Sequence, residues 1–282
     1  MWLIILYSAI ILFLYIIIAC IVCTIKKNNA IMDIFYGPGC FLVAITSFIL
    51  NFLWTGIFSL LKLIVTVLVI VWALRLSTYV YIRNHGKPED YRYAAMRKSW
   101  KRKGKNIFLK SLINIYLFQG LVIFVVVFPV LWINTSESPP ITLSFFDFAL
   151  ITLILGALIW VMGFYFESVG DYQLYKFLHT PNRTKKVLDE GLWKYTQHPN
   201  YFGEVTMWWG LFIIALAVPW GFITIFGPIY ITILIIKVSG VKLLNKRFEG
   251  DDEYTDYKRR TSTFLPWFPK KKKNELKKKI CF

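Results

Sequence analysis

The sequence predicts an all-α, polytopic membrane protein, a helix bundle with about seven transmembrane helices. Hydrophobic residues make up 57% of the 282 residues and charged residues only 17%, whereas a soluble domain of this size needs a larger charged surface. The mean hydropathy is +0.54. Apolar runs near the length that crosses a bilayer as a helix, roughly 17 to 25 residues, recur along the chain. The predicted spans are 2–24, 34–53, 60–82, 109–133, 145–166, 201–218 and 220–236.

The distribution of Lys and Arg predicts the orientation of these spans, because basic residues concentrate in cytoplasmic loops. They follow the first span, and they cluster within 83–110, within 176–194 and from Lys237 onward. The other loops, at 51–56, 134–144 and 218–221, contain none. The pattern therefore predicts an N-terminus outside and a C-terminus in the cytoplasm. Lys62 and Arg75 are the exceptions, since both lie inside the third predicted span.

No internal repeat or long linker divides the chain, which predicts one integral-membrane domain over 1–282 with a basic tail at 269–282. The net charge of +17 is explained by the topology and by attraction to anionic membrane lipids, so no nucleic-acid partner is predicted. The sequon at Asn134 is attributed to chance. No metal site or disulfide is predicted, because the cysteines show no ligand spacing. They are Cys20, Cys23, Cys40 and Cys281.

The first candidate for chemistry is a row of side chains on the third span. Arg75 and Tyr79 are four residues apart and Arg83 extends the row, so a helix places all three on one face. An arginine at this depth stays charged and needs a carboxylate or phosphate partner. The alternative is that Arg75 reaches the interface or pairs with Asp33 or Glu204.

The fifth span ends with two carboxylates. Glu167 and Asp171 are four residues apart, a helical spacing that presents two hydrogen-bond acceptors on one face. Carboxylates in this position accept hydrogen bonds from a carboxamide, from ribose hydroxyls or from an arginine. The spacing is equally compatible with ion pairs to lysines of the following loop.

The sixth span begins with a polar turn. Pro199 favours a helix start and turns His198 away from helical geometry. Asn200 and Glu204 follow on one helix face, and an ionisable group at the edge of bilayer hydrocarbon indicates a functional site. His198 is predicted to bind or to stabilise rather than to act as an acid or base.

The start of the second span supplies a possible acid. Asp33 and Tyr36 are one helical turn apart. A desolvated Asp33 and a Tyr36 phenol are each suited to polarising a carbonyl oxygen. Alternatively, Asp33 caps the helix.

Several motifs together resemble the steroid 5-alpha-reductase family of membrane enzymes. They are WALRLS at 72–77, GLWKY at 191–195, HPNYFGE at 198–204 and RTSTFLP at 260–266. The family-like region is 31–268. The resemblance implies a multi-pass membrane reductase that binds NADPH from the cytoplasmic side and reduces a carbon–carbon double bond conjugated to a carbonyl. The substrate would be a steroid-like or other apolar lipid that enters from the bilayer.

The resemblance also implies roles for individual residues. Asn200 and Glu204 would contact the nicotinamide carboxamide. Asp33 and Tyr36 are the candidate catalytic donors from their chemistry on the second span, independently of the resemblance. The chain departs from the family at Trp72, which stands where those enzymes have a carbonyl-polarising tyrosine, and at Asp33, the nearest match to their Gln-Glu pair. The other residues expected around the cofactor are Arg75, Tyr79, Lys87, Glu167, Asp171, Arg183, Tyr195, His198 and Arg247.

Two other functions remain open from the sequence. A membrane methyltransferase of the isoprenylcysteine or phospholipid type shares a His-Pro turn before a helix and would bind S-adenosylmethionine instead. A non-catalytic scaffold or carrier would bind no nucleotide. The sequence does not distinguish NADPH from NADH, and it determines neither the lipid nor the oligomeric state.

Overall fold

The structure is a computed structural model that describes residues 1–137, 147–240 and 250–270, apart from the side chain of Ser239. It confirms the all-α prediction. Within those residues the regular structure is helical, and the extended pairing is limited to an isolated bridge between Thr196 and Ser262. Six helical segments in the described part of the chain are long and apolar enough to cross a membrane. The protein is therefore an integral, multi-pass membrane protein.

The chain forms two compact units, which are described separately. The first comprises Met1–Ala157 and Leu211–Gly227, and the second comprises Leu158–Gly210 and Pro228–Phe282. The α-helices are α1 (Trp2–Ile25), α2 (Met32–Thr55), α3 (Leu60–Asn84), α4 (Tyr91–Arg102), α5 (Ile107–Ser111), α6 (Phe118–Val126), α7 (Phe128–Thr135), α8 (Phe148–Leu178), α9 (Pro199–Ala215), α10 (Phe226–Ile233) and α11 (Asp252–Arg260). Short 3-10 segments lie at Asn29–Ile31, Gly191–Lys194 and Gly221–Ile225, and π-helical segments at Leu112–Leu117 and Leu234–Ser239.

Helices α2 and α3 approach closely in the first unit because a glycine lies between them. A Cβ atom on Gly37 would lie 2.6 Å from the Ser77 hydroxyl and 2.8 Å from the Ala73 carbonyl oxygen. Small residues at such crossings allow close packing where lipid replaces water as the solvent. The Tyr36 ring consequently meets Trp72 edge-on, with ring centroids 5.8 Å apart.

The predicted fourth span, 109–133, is not one continuous helix. The helical run 107–126, made of α5, a π-helical segment and α6, is continuous, and a break at Val127 separates it from α7. Pro129 lies in the first turn of α7. Because proline lacks an N–H donor and clashes with the preceding turn, it favours a new helix start there.

Two other predicted spans have different ends in the structure. Helix α8 has 31 residues, about 46 Å at 1.5 Å per residue, and continues past Phe166 to Leu178. Helix α9 has 17 residues, about 25 Å, which is shorter than a hydrocarbon core of about 30 Å. It ends at Ala215 because Pro219 cannot continue a helix. Among the described residues, six of the seven predicted spans thus correspond to helical segments long enough to cross a membrane, and the predicted span at 201–218 corresponds to this shorter helix.

The grouping of loops in the first unit agrees with the charge pattern. Asn51, Thr135 and Pro219, from the three loops without Lys or Arg, line one cavity. At the other end of α3, the Asn29 N–H donates to Glu89 at 2.8 Å, and Arg97 hydrogen-bonds the Lys27 carbonyl. In the first unit, the loops without Lys or Arg thus lie at one end of α3, and the loops rich in basic residues lie at the other end, as the charge pattern predicts. Which set faces the cytoplasm stays a prediction.

Burial explains the sequon and the cysteines. Asn134 is completely buried, and its Nδ2 donates to the Ala44 carbonyl, the Ser47 hydroxyl and the Thr66 hydroxyl at 3.0 to 3.1 Å. Because its amide nitrogen is buried and hydrogen-bonded, Asn134 is not accessible for glycosylation. Cys20, Cys23 and Cys40 are buried in α1 and α2, and Cys281 lies outside the described residues.

Candidate functional site

The candidate site of the second unit begins where α8 crosses α9. A Cβ atom on Gly203 would lie 2.4 Å from the Glu167 backbone nitrogen, and one on Gly163 would lie 2.6 Å from the Gly203 carbonyl oxygen. Further along α8, a Cβ atom on Gly170 would lie 3.1 Å from the Asn200 nitrogen. Three glycines therefore allow near-contact between the two backbones. This approach brings the carboxylates of α8 to the first turn of α9.

The structure joins two of the predicted residues directly. The Asn200 side-chain amide donates to the Asp171 carboxylate at 2.9 Å, and its oxygen accepts a hydrogen bond from the Tyr201 N–H at 3.0 Å. Asp171 and Glu167 are each only 3% exposed. Burying a carboxylate is costly unless it is paired or hydrogen-bonded, so the fold must provide partners for these two side chains.

His198 precedes this contact and is 1% exposed. Its ring stacks on Tyr201 with centroids 5.4 Å apart. Burial lowers the pKa of His198 to about 4, so the imidazole is neutral at pH 7. Its Nε2 atom has no hydrogen-bond partner among the described residues. A buried polar atom of this kind marks a position where a ligand or water supplies the partner.

The loop that precedes α9 is held by the segment around α11. The Tyr257 hydroxyl donates to the Trp193 carbonyl at 2.7 Å, and the Trp193 indole donates to the Gly170 carbonyl at 3.1 Å. Arg260 forms an ion pair with Asp189 at 2.7 Å. Burial by itself raises the pKa of Asp189, but hydrogen bonds from Arg260 and Lys185 outweigh it and lower the pKa. These contacts fix the loop that carries His198.

Three polar residues of the site escaped sequence analysis. The Gln197 amide donates to the Thr261 carbonyl at 2.7 Å. The Gln197 oxygen, the Thr261 hydroxyl and the Ser168 hydroxyl are buried without a hydrogen-bond partner in the ranges that the structure describes. The spacing of the buried Tyr254 and Tyr257 on α11 is a signal that could have placed the Thr261 segment against the core. No pattern in the sequence distinguishes Gln197.

The remaining predicted residues of the second unit are more dispersed. Glu204 is half-buried on α9, one turn before the buried Trp208. Tyr195 is exposed, and its carbonyl accepts a hydrogen bond from the Trp267 N–H at 2.9 Å. Arg183 is exposed, with its guanidinium 4.4 Å from the centre of the Phe177 ring. Arg247 lies outside the described residues.

In the first unit, the predicted row on α3 is confirmed. The guanidinium carbons of Arg75 and Arg83 lie 5.5 and 5.7 Å from the centre of the Tyr79 ring, so both cations contact this one aromatic side chain. Lys87 is exposed in the loop after α3.

Asp33 does not cap α2, so that interpretation was wrong. The N-cap position is Ile31, which makes no side-chain cap, and Asp33 lies within the first turn. Its carboxylate instead accepts a hydrogen bond from the Tyr93 hydroxyl of α4 at 3.1 Å, a partner that the sequence did not reveal. Burial and the Asp33 charge raise the pKa of Tyr93. Tyr36 is buried against Trp72, and the proposed donor roles of Asp33 and Tyr36 remain predictions.

Tyr93 also connects Asp33 to an ion pair. Arg92 contacts Asp90 at 2.9 Å, and its guanidinium lies 5.7 Å from the centre of the Tyr93 ring. Burial by itself raises the pKa of Asp90, but hydrogen bonds from Arg92 outweigh it and lower the pKa. Asp33, Asp90, Arg92 and Tyr93 are called the Asp33–Arg92 cluster below.

Comparison with known proteins gives one match. The family described as "Protein of unknown function (DUF1295)" matches residues 19–261, most of the chain. The chain belongs to the DUF1295 family. This is a membrane family, in agreement with the helices described above. No curated protein and no solved structure matches the chain.

The DUF1295 region contains both groups of polar residues. It begins within α1 and ends just after Arg260, so the Asp171–Asn200 contact and the Asp33–Arg92 cluster both lie inside it. The description of DUF1295 gives no activity. The steroid 5-alpha-reductase resemblance therefore rests on the motifs of this chain.

Proposed function

We propose that this DUF1295 protein is a membrane NADPH-dependent oxidoreductase that reduces a carbon–carbon double bond conjugated to a carbonyl in an apolar lipid. One observation carries the proposal. The buried Asp171 carboxylate of α8 accepts a hydrogen bond from Asn200 at the start of α9, and two residues before Asn200 the buried His198 has a neutral ring with no partner for Nε2 among the described residues.

The residue types of this site fit a nicotinamide. Its carboxamide offers both donors and an acceptor, which match a side-chain amide and carboxylates. Asn200, Asp171 and Glu204 provide these groups within one turn of α9 and the facing part of α8. His198 adds a neutral nitrogen that donates or accepts without adding a cation.

The charge of the site favours the direction of the reaction. NADPH, when bound, supplies the hydride. Glu167 and Asp171 are two buried carboxylates, and negative charge close to a group that becomes positive during a reaction stabilises that change. The phosphates of a dinucleotide would be held by cationic side chains.

Aromatic packing on another face of α9 is in keeping with an apolar substrate. The Phe202 ring lies on α9 between Asn200 and Glu204 in sequence, and it contacts the rings of Phe166 and Phe264 with centroids 5.0 and 6.0 Å apart. Such rings present a surface that binds hydrocarbon and excludes water from a reacting group. A polar substrate would gain no binding free energy from these aromatic rings.

The proposal is tested by ligand stabilisation of the purified full-length protein in detergent. NADPH, NADH and S-adenosylmethionine are compared by thermal melting, because only a ligand of the folded state raises the melting temperature. At one hundred times its dissociation constant, a ligand adds about 2.7 kcal/mol. NADPH is expected to stabilise the protein. Stabilisation by S-adenosylmethionine alone would instead establish the methyltransferase.

A matched pair of variants localises the binding. Glu204→Ala is expected to remove the NADPH effect while the protein stays folded. Glu190→Ala removes an exposed carboxylate that pairs with Lys185, and it should leave NADPH binding intact. Full NADPH affinity in Glu204→Ala overturns the site. No nucleotide effect, together with tolerance of Asn200→Ala, supports a carrier.

A further inference from the structure

A large cavity lies in the first unit, at the end of α3 that is remote from Arg75. Its volume is about 1220 Å³, and it is lined by the three loops that carry no Lys or Arg. Pockets for drug-sized ligands commonly measure about 300 to 1,000 Å³. The cavity is therefore large enough for a molecule with an extended chain. Lys62 and Arg75 are thirteen positions apart on α3, about 20 Å along the helix axis.

Tryptophans form much of the cavity wall, and other contacts hold them in place. The Trp132 indole donates to the Pro219 carbonyl at 2.9 Å and meets Trp2 edge-on at 6.4 Å. Trp54 meets Tyr7 edge-on at 5.8 Å. Trp132 is 6% exposed and held by its hydrogen bond, so this part of the apolar wall is preorganised for a ligand, whereas Trp2 and Trp54 are exposed.

Lys62 supplies a charge that the surrounding residues do not compensate. It is 6% exposed, and its ammonium group donates to the Asn51 side-chain oxygen at 2.8 Å. Over the described ranges it forms no ion pair, and Glu137, the acidic side chain among the described lining residues, is exposed. An ammonium has three donors, and a buried charge is costly without an opposite charge. Asn51 satisfies one donor and provides no charge.

We infer that this cavity binds one anionic membrane amphiphile, with its acidic oxygens at Lys62 and its hydrocarbon chain along the tryptophans. One cation matches one acidic group, and the apolar wall matches a chain. A dinucleotide carries several phosphates and does not suit one ammonium. The acidic group is the carboxylate of a fatty acid or the phosphate of a phospholipid, since both present the same anionic oxygen. The inference does not depend on the proposed reductase activity.

The test is native mass spectrometry of the full-length protein in detergent with added lipids. Palmitate and phosphatidylglycerol provide the two acidic arms, and methyl palmitate and diacylglycerol are their uncharged counterparts. One acidic lipid is expected to bind in a one-to-one ratio, at least about tenfold tighter than its uncharged counterpart, a difference of about 1.4 kcal/mol. The arm that binds identifies the carboxylate or the phosphate. Equal binding of charged and uncharged lipids overturns the inference.

Substitution of Lys62 provides the matched comparison. Lys62→Met should weaken acidic-lipid binding at least about tenfold, whereas Lys62→Arg, which keeps the charge, should stay within about threefold of the natural protein. Unchanged binding in Lys62→Met overturns the inference. If Lys62→Met does not fold, photo-crosslinking of a diazirine palmitate or phosphatidylglycerol to the natural protein decides. Crosslinks on peptides containing Trp54 or Trp132 support the site, and crosslinks confined to other peptides overturn it.

Discussion

The Asp171–Asn200 contact and the Asp33–Arg92 cluster are two ways of placing carboxylates in the same membrane protein. In the cluster, Asp90 faces Arg92 at 2.9 Å, and both side chains keep about a third of their surface exposed, at 31% and 39%. At the start of α9, Asp171 is almost fully buried and receives a neutral amide. Buried atoms of the neighbouring His198 and Gln197 have no partner among the described residues.

The difference in burial and in hydrogen-bond partners indicates that the two regions have different roles. In the Asp33–Arg92 cluster each carboxylate has a partner, Arg92 for Asp90 and the Tyr93 hydroxyl for Asp33, and these contacts fasten α4 to the first turn of α2. A buried site with polar atoms still to be satisfied carries a free-energy cost that a bound ligand removes. Under the proposed function, we therefore expect ligand binding at the α8–α9 region, whereas the Asp90–Arg92 ion pair holds α4 in place. The predictions below test this assignment, from the largest expected effect to the smallest.

The α8–α9 crossing should tolerate no added methyl group. Gly203→Ala places a carbon 2.4 Å from the Glu167 backbone nitrogen, so the helices must separate, at a cost of about 3 kcal/mol or more. The measurement is the melting temperature in detergent, together with NADPH stabilisation. Gly120→Ala on α6 is the control, since its nearest contact is the flexible Ile16 side chain at 3.1 Å. Equal melting temperatures of Gly203→Ala and Gly120→Ala would contradict the close approach of α8 and α9.

The buried imidazole should make stability depend on pH. The unfolded chain binds a proton at His198 below the usual pKa of 6.5, whereas the folded protein does so only below about 4. The free energy of unfolding therefore falls by about 3 kcal/mol as the pH decreases from 6.5 to about 4. Above pH 6.5 the imidazole is neutral in both the folded and the unfolded chain, so none of this stability is lost.

His198→Gln removes this titration and should flatten the melting temperature between about pH 6.5 and 4 relative to the natural protein. His85→Gln, at an exposed histidine, is the control and should leave the slope unchanged. An unaltered slope in His198→Gln would show that the ring is not buried in its neutral form.

The Asp171–Asn200 hydrogen bond should show strong energetic coupling. A double-mutant cycle with Asp171→Ala and Asn200→Ala is expected to give about 2 kcal/mol, because hydrogen bonds to charged groups contribute about 1.5 to 3 kcal/mol. Melting of the four proteins provides the measurement. If the effects of the two substitutions are additive, the Asp171–Asn200 hydrogen bond does not contribute to the stability of the site.

The Asp90–Arg92 ion pair should show the weakest coupling. A cycle with Asp90→Ala and Arg92→Met is expected to give below about 1 kcal/mol, because exposed pairs are screened by solvent. The value should decrease further at high salt. A coupling as large as that of Asp171 and Asn200, and insensitive to salt, would erase the distinction between the two regions.

Local features of the sequence predicted much of the fold. Hydropathy located the membrane helices because a span depends on the composition of one continuous segment. Helical periodicity placed Arg75, Tyr79 and Arg83 on one face, as the contacts with the Tyr79 ring confirm. Pro199 predicted the start of α9 because proline determines its own backbone geometry.

What the sequence alone determined about this protein is thus its class, most of its spans and the helix faces of several site residues. The meeting of Asp171 with Asn200 was decided by tertiary structure, because it depends on Gly163 and Gly203, which are far apart in sequence and adjacent only when α8 and α9 pack. The bond from Tyr93 to Asp33 and the burial of His198 have the same origin. Periodicity reports which face a residue occupies, whereas packing between distant segments determines what that face meets.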